Sequence, residues 1–93
     1  KEGMIVSNEP GYYENGKFGI RIENLINVKK NKTGYSFNNL TMAPIDKSLI
    51  NKNVLKKNEI NWLNNYHEDV FNSLKKFMSK TELFELNKAC SKI

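Results

Sequence analysis

The chain has 93 residues, which is room for one small core or for part of a larger one. Its net charge is +5, but Arg21 is the only arginine among 15 basic residues and the lysines are scattered, so we expect no nucleic-acid partner. No apolar run approaches the roughly 18–20 residues of a membrane span, and the single cysteine, Cys90, suits a reducing, cytoplasmic compartment.

The first part of the chain has the composition of β-structure. Residues 4–8 predict a strand that leads into a turn rich in glycine and asparagine, and residues 17–28 predict a second strand. A polar turn at residues 29–34 follows, and the third strand, residues 35–42, is expected to pair antiparallel with the second. The chain begins at Lys1, without an initiator Met, so we interpret it as the C-terminal piece of a longer protein.

After Pro44 the hydrophobic pattern becomes helical. Apolar residues spaced three and four apart predict a long helix, for which Asn58 is the expected N-cap. The stripe consists of Ile60, Leu63, His67, Val70, Leu74 and Phe77, and it is widened by Trp62, Tyr66 and Phe71. On this stripe His67, the only histidine, is expected to be a hydrogen-bonded packing residue rather than a ligand.

A second, shorter helix is predicted by a capping box, in which Ser79 is followed three residues later by Glu82. Its apolar side comprises Leu83, Leu86, Cys90 and Ile93. The predicted fold class is therefore α+β. We expect residues 1–45 to form one domain and residues 46–93 to form a helical extension.

Two carboxylates are the strongest chemical signal. Glu9 and Glu23 flank a glycine-rich turn, so a hairpin can bring them together, as a hard metal ion requires. Strand alternation places Gly19, Arg21 and Glu23 on one face, where the guanidinium can orient or compensate the carboxylate. From the residues alone, an exposed Arg–Glu pair on a solvated sheet face is a competing interpretation.

Residues 7–24, SNEPGYYENGKFGIRIEN, closely resemble the last metal-binding segment of the aminopeptidase P family, in the pita-bread metallopeptidase superfamily. LTMAPID at residues 40–46 and WLNNYH at residues 62–67 resemble the end of the catalytic domain and the C-terminal extension of the long, eukaryotic-type members. The resemblance implies the C-terminal part of a pita-bread catalytic domain followed by a helical extension. It also implies two divalent metal ions, usually manganese, held by two Asp, one His and two Glu.

Carried over by motif, Glu9 matches the Glu that binds one metal and acts as general base, and Glu23 matches the carboxylate that bridges both metals. Tyr13 and Arg21 match supporting positions of the catalytic site, although packing on the hairpin is an equally open role for Tyr13. The two Asp and the His are expected in an upstream polypeptide, so this chain would supply two of the five ligands.

The activity implied by the resemblance is hydrolysis of the bond between an N-terminal residue and a following proline. The implied partners are peptides with proline in the second position, the upstream catalytic-domain polypeptide and a second subunit in a homodimer. Two alternatives stay open. One is a non-catalytic pita-bread protein that acts as a binding module, and the other is a related prolidase or methionine aminopeptidase.

Overall fold

Five antiparallel strands and two α-helices make up the computed structural model, which describes all residues from Lys1 to Ile93. The strands are β1 (Ile5–Asn8), β2 (Gly11–Glu14), β3 (Phe18–Arg21), β4 (Asn24–Asn31) and β5 (Gly34–Asn39). The α-helices are α1 (Lys57–Leu74) and α2 (Lys80–Ala89). The chain divides into two units, residues 1–41, which we call the β unit, and residues 42–93, the helical unit. The domain boundary predicted at residues 45/46 concerns the intact protein and stays a prediction.

The β unit contains a three-stranded sheet in the order β1-β4-β5 and a two-stranded sheet of β2 and β3. The β1–β4 and β2–β3 ladders share one register. Asn8 lies opposite Asn24 in the first ladder, and a step of three residues along each arm leads to Gly11 opposite Arg21 in the second. The four strands are thus one long hairpin with an interruption at Pro10. Proline has no N–H to donate to the ladder, although its carbonyl still accepts the N–H of Ile22 at 3.2 Å.

This arrangement corrects two predictions. The expected strand over residues 17–28 is divided into β3 and β4, because the ladder is interrupted where Pro10 faces Ile22. Strand β2 was not predicted, because its residues belong to a stretch that reads as a turn. The actual turn is shorter: the N–H of Lys17 donates to the carbonyl of Glu14 at 3.0 Å, and Gly16 supplies the positive φ of +70°.

The predicted pairing of the later strands is confirmed. Strand β4 pairs antiparallel with β5 around a two-residue turn, with Asn31 opposite Gly34 and Val28 opposite Phe37. Val28 is the only buried apolar residue of the β unit. Apart from Ile26, which is half-buried, its other large apolar side chains are exposed in this chain, with Phe18 56% and Ile20 42% exposed.

The first helix, α1, begins two residues earlier than the pattern predicts, so the expected N-cap at Asn58 is wrong. Lys56 occupies the N-cap position and has no side-chain acceptor, while the Glu59 carboxylate accepts the Lys56 N–H at 2.7 Å. At the other end, residues 75–77 tighten into a 3-10 turn. Phe77 therefore leaves the apolar stripe and is 71% exposed, contrary to the prediction.

The predicted capping box of α2 is confirmed. The N–H of Ser79 donates to the Glu82 carboxylate at 2.7 Å, and the N–H of Glu82 donates to the Ser79 hydroxyl at 3.3 Å. At the C-terminal end, the Lys47 ammonium donates to the carbonyl oxygens of Lys88 and Ser91 at 3.0 and 2.7 Å. Positive charge is favourable at this end of a helix. Neither helix combines the length and apolar character needed to cross a bilayer.

The core of the helical unit lies between α1 and α2. It consists of the buried residues Tyr66, Val70, Leu86 and Cys90, with Met42, Ile45, Phe71, Leu74 and Met78 packed against them. Trp62 does not join this core, because it is 56% exposed and stacks its ring on Tyr66 at 5.4 Å.

His67 is fully buried in the helical unit, and its Nε2 accepts the backbone N–H of Ile45 at 3.0 Å. Burial lowers the pKa of His67, and the positive charge of Lys47 acts in the same direction. The predicted role of a hydrogen-bonded packing residue is confirmed. Next to it, the Tyr66 hydroxyl donates to the carbonyl of Ala43 at 2.7 Å, so two adjacent helix residues hold the segment that enters the helical unit.

Candidate metal centre

The long hairpin places Glu9 directly opposite Glu23. Continuing the β1–β4 register one position beyond Asn8 and Asn24 brings the two residues together, and continuing the β2–β3 register backwards gives the same pairing. Pro10 and Ile22 occupy a hydrogen-bonded position. The adjoining Glu9–Glu23 pair is therefore at a non-hydrogen-bonded position, where facing Cα atoms are typically about 4.5 Å apart. Both carboxylates project from the same side of the hairpin.

Because side chains alternate along a strand, this side also carries Gly11 and Tyr13 from one arm and Gly19 and Arg21 from the other. We call these six positions the carboxylate face. It contains every site residue that the sequence predicted: Glu9, Tyr13, Arg21 and Glu23. The opposite side of the hairpin carries the apolar residues Tyr12, Phe18, Ile20 and Ile22.

The electrostatics of the carboxylate face are unbalanced. The Arg21 guanidinium lies 3.4 Å from a Glu23 carboxylate oxygen, as its i, i+2 position predicts, and both side chains are about half exposed. Glu9 has no ion-pair partner within the chain. Two carboxylates that face each other across a ladder repel. One arginine leaves a net negative face, to which a cation would bind favourably.

Tyr13 lies over the two glycines of the carboxylate face. A Cβ atom added to Gly19 would be 2.5 Å from Cδ1 of the Tyr13 ring, and one added to Gly11 would be 2.7 Å from the Tyr13 hydroxyl oxygen. The ring therefore lies flat along the face, and its hydroxyl is at the Gly11 position. This position is one place along the same side from Glu9 and opposite Arg21.

Polar residues next to Glu23 were missed by the sequence predictions. The Asn24 amide donates to Asn39 at 3.0 Å, the Asn39 amide donates to the carbonyl of Thr41 at 2.6 Å, and the Thr41 hydroxyl accepts the N–H of Leu25 at 2.8 Å. These bonds tie the start of β4, which directly follows Glu23, to the segment after β5. Two of the three bonds connect residues 15 and 16 positions apart, and no local pattern signals these two.

The donor set suits a hard divalent cation but is incomplete within this chain. Carboxylate oxygens are the ligands preferred by manganese- and magnesium-type ions, and the net negative charge left after Arg21 pairs with Glu23 favours such an ion. No group of three or more His, Cys, Asp or Glu side chains in the chain could hold a metal. A centre at this face therefore requires ligands from another polypeptide segment.

Two family models match the chain, one after the other. The model described as metallopeptidase family M24 matches residues 1–30, and the model described as the C-terminal region of peptidase M24 matches residues 33–93. Among curated proteins, a probable Xaa-Pro aminopeptidase P from Tuber melanosporum (strain Mel28) is 48% identical over 89 residues, 87% of this chain and 14% of that protein. Its counterpart in Laccaria bicolor (strain S238N-H82 / ATCC MYA-4686) is 46% identical over 82 residues, 80% of this chain and 13% of that protein.

Among solved structures, the chain is similar to an X-prolyl aminopeptidase from Caenorhabditis elegans, described as a cytosolic enzyme with a di-nuclear active site. The match has a TM-score of 0.84 and 35% sequence identity, and it covers all of this chain and 17% of that one. The fold and the comparisons together define the class of protein: the chain is the C-terminal part of a pita-bread metallopeptidase. The chain belongs to the metallopeptidase family M24. It spans about one seventh of the length of the curated relatives it matches.

Proposed function

We propose that this chain is the C-terminal part of a two-metal Xaa-Pro aminopeptidase, which hydrolyses the bond between an N-terminal residue and a following proline. The observation that carries the proposal is the facing pair Glu9 and Glu23, with Arg21 beside them on one side of the hairpin. Support comes from relatives named as Xaa-Pro aminopeptidase P and from the dinuclear active site stated for the structural neighbour.

The metal centre is proposed to hold two divalent ions, with manganese as the expected metal. Glu9 would bind one ion and Glu23 would bridge both, while two Asp and one His from an upstream polypeptide would complete the set. Bound at this face, the two ions would polarise a water molecule and the scissile carbonyl. Oxygen-rich ligands favour manganese-type ions over metals that prefer sulfur.

The side chains of this chain would divide the remaining work. Glu9 has a carboxylate oxygen free of any ion pair and is proposed to take the proton of the attacking water as general base. Arg21 would hold the Glu23 carboxylate in its bridging orientation through the 3.4 Å contact and would offset part of its charge. Tyr13 would place its hydroxyl on the same face, within the reacting region.

Assembly and location are proposed on separate grounds. We expect a cytoplasmic enzyme, in line with the cytosolic structural neighbour. A homodimer through the extension, residues 46–93, is expected because this part leaves large apolar side chains exposed, among them Trp62 at 56%, Phe77 at 71% and Phe84 at 69%. Light scattering on the intact protein and on a truncation that lacks residues 56–93 tests this, since a dimer that survives the truncation would place the interface elsewhere.

The experiment that tests the activity compares peptides that differ only at the second position. The intact enzyme should cleave an Xaa-Pro peptide much faster than the matching Xaa-Ala peptide, and removal of divalent metal by a chelator should abolish the reaction. Equal cleavage of both peptides would favour a methionine aminopeptidase. Cleavage of the free Xaa-Pro dipeptide, without cleavage of longer Xaa-Pro peptides, would favour a prolidase. Absence of two Asp and one His upstream would favour a non-catalytic binding module.

A further inference from the structure

Gly11 and Gly19 are the two positions of the carboxylate face that carry no side chain, and both lie under the Tyr13 ring. At Gly19 an added Cβ would be 2.5 Å from Cδ1 and 3.0 Å from Cε1 of Tyr13. At Gly11 it would be 2.7 Å from the hydroxyl oxygen and 2.9 Å from both Cε2 and Cζ. Real Cβ atoms essentially never approach other heavy atoms to less than 3.0 Å.

Backbone conformation does not explain these two glycines. The glycines with positive φ in this chain are Gly3, Gly16 and Gly34, whereas Gly11 and Gly19 have backbone angles that any residue adopts. A glycine inside a strand weakens the strand and often marks the close approach of another group. Here the approaching group is the Tyr13 ring, since the nearest atoms to an added Cβ at both positions belong to it.

We call the space over Gly11 and Gly19 that the Tyr13 ring fills the Tyr13 seat. The strand register fixes which way the ring points along the carboxylate face. Tyr13 faces Gly19 across the ladder, and its hydroxyl is held at Gly11, which lies between Tyr13 and Glu9 on the same side and faces Arg21. Tyr13 is 64% exposed, so its ring has room to turn towards solvent if the seat is filled. A side chain at either glycine would therefore displace the Tyr13 hydroxyl and leave the hairpin folded.

We propose that Gly11 and Gly19 are positioning residues of the candidate metal centre, which seat the Tyr13 ring on the hairpin and hold its hydroxyl beside Glu9 and Arg21. The proposal rests on the proposed function for its kinetic consequence. Its structural content, the dependence of the Tyr13 position on two bare glycines, does not rest on that function.

A double-mutant cycle on the intact enzyme tests this seat. Gly19→Ala should lower kcat/KM for an Xaa-Pro peptide roughly tenfold or more, the range found when a group that supports a metal ligand is lost, and Tyr13→Ala should cause a similar loss. The double variant should be no slower than Tyr13→Ala alone, because an alanine at position 19 no longer displaces a ring. An equal further loss in the Tyr13→Ala background would overturn the proposal.

Thermal unfolding of the same four proteins provides a readout that does not depend on activity. Gly19→Ala should lower Tm when Tyr13 is present and should leave Tm unchanged or raise it when position 13 is alanine. The same decrease in Tm in both backgrounds would show that Gly19 is needed for the strand itself and not for the position of the Tyr13 ring. If Gly19→Ala does not fold, Gly11→Ala replaces it, since its Cβ meets the far end of the ring. An inactive parent enzyme would refute the proposed function. The Tm values of the four proteins would still show whether the position of the Tyr13 ring depends on Gly19.

Discussion

The two units of this chain differ in how much of their apolar surface they bury. The helical unit has a core of its own, in which Val70 is fully buried and Tyr66 and Leu86 are less than 9% exposed. In the β unit only Val28 is buried, while the apolar side of the long hairpin, including Phe18 and Ile20, is about half exposed. The unit that carries the candidate chemistry is thus the one that does not bury its own apolar side.

The helical unit therefore packs a core from residues of this chain, whereas the hairpin of the β unit does not. The carboxylate face holds two of the five proposed ligands, and the apolar side of the same hairpin lacks a partner within the chain. Under the proposed function, one upstream catalytic domain would supply both the missing ligands and the missing cover. A site shared between segments of a chain couples metal binding to folding.

The largest expected effect concerns the carboxylates of the β unit. Glu9→Gln and Glu23→Gln should each lower kcat by on the order of 10²-fold or more, because each removes a charged ligand from a site proposed to hold two dications. Metal content, measured by elemental analysis, should fall with Glu23→Gln in particular. The matched control is Glu14→Gln, a carboxylate on the same hairpin but on its other side. Normal turnover and full metal content in either ligand variant would refute the assignment.

The second prediction tests the core of the helical unit. Leu86→Ala should destabilise the intact protein by about 2–4 kcal/mol, as is usual for a large-to-small change at a buried site. Asn87→Ala on the same helix should change stability by about 0.5 kcal/mol or less, because Asn87 is a polar, exposed residue. Urea unfolding measures both. Equal losses would mean that the Leu86 site contributes no more than an exposed position, which would contradict the core assigned to the helical unit.

Arg21→Lys should have a smaller effect than loss of a ligand. Lysine keeps the positive charge but lacks the planar guanidinium that contacts Glu23 at 3.4 Å, so we expect a roughly tenfold loss of kcat/KM. Lys17→Ala is the control, since Lys17 pairs with Glu14 at the tip of the hairpin and not with the proposed ligands. If steady-state kinetics show the same negligible change for both variants, Arg21 is only a surface partner of Glu23.

The smallest expected effect is a pH dependence that arises in the helical unit. Burial lowers the folded-state pKa of His67 below the unfolded value of 6.5. The unfolded state then binds more protons, so this contribution to stability is complete above pH 6.5 and is lost as the pH falls towards the folded pKa. Urea unfolding at several pH values should show this slope, and His67→Gln should reduce it. An unchanged slope in the variant would assign the dependence to other groups.

Local patterns in the sequence predicted several features correctly. The alternation of Gly19, Arg21 and Glu23 placed the arginine and the carboxylate on one face, and the 3.4 Å contact between them follows from that alternation. The capping box of Ser79 and Glu82 was predicted because both partners lie within one helical turn. Such features depend on residues two to four positions apart, which strand and helix geometry relate directly.

Other features were decided by residues that are distant in sequence. The interruption of the long hairpin depends on Pro10 facing Ile22, and the place of the Tyr13 ring depends on Gly19 across the ladder. Similarly, the buried state of His67 depends on the N–H of Ile45, 22 positions away. The sequence by itself thus determined which side chains share a face. Tertiary structure decided what each side chain meets there, because hydrogen-bond partners and steric room come from strands and helices that only folding brings together.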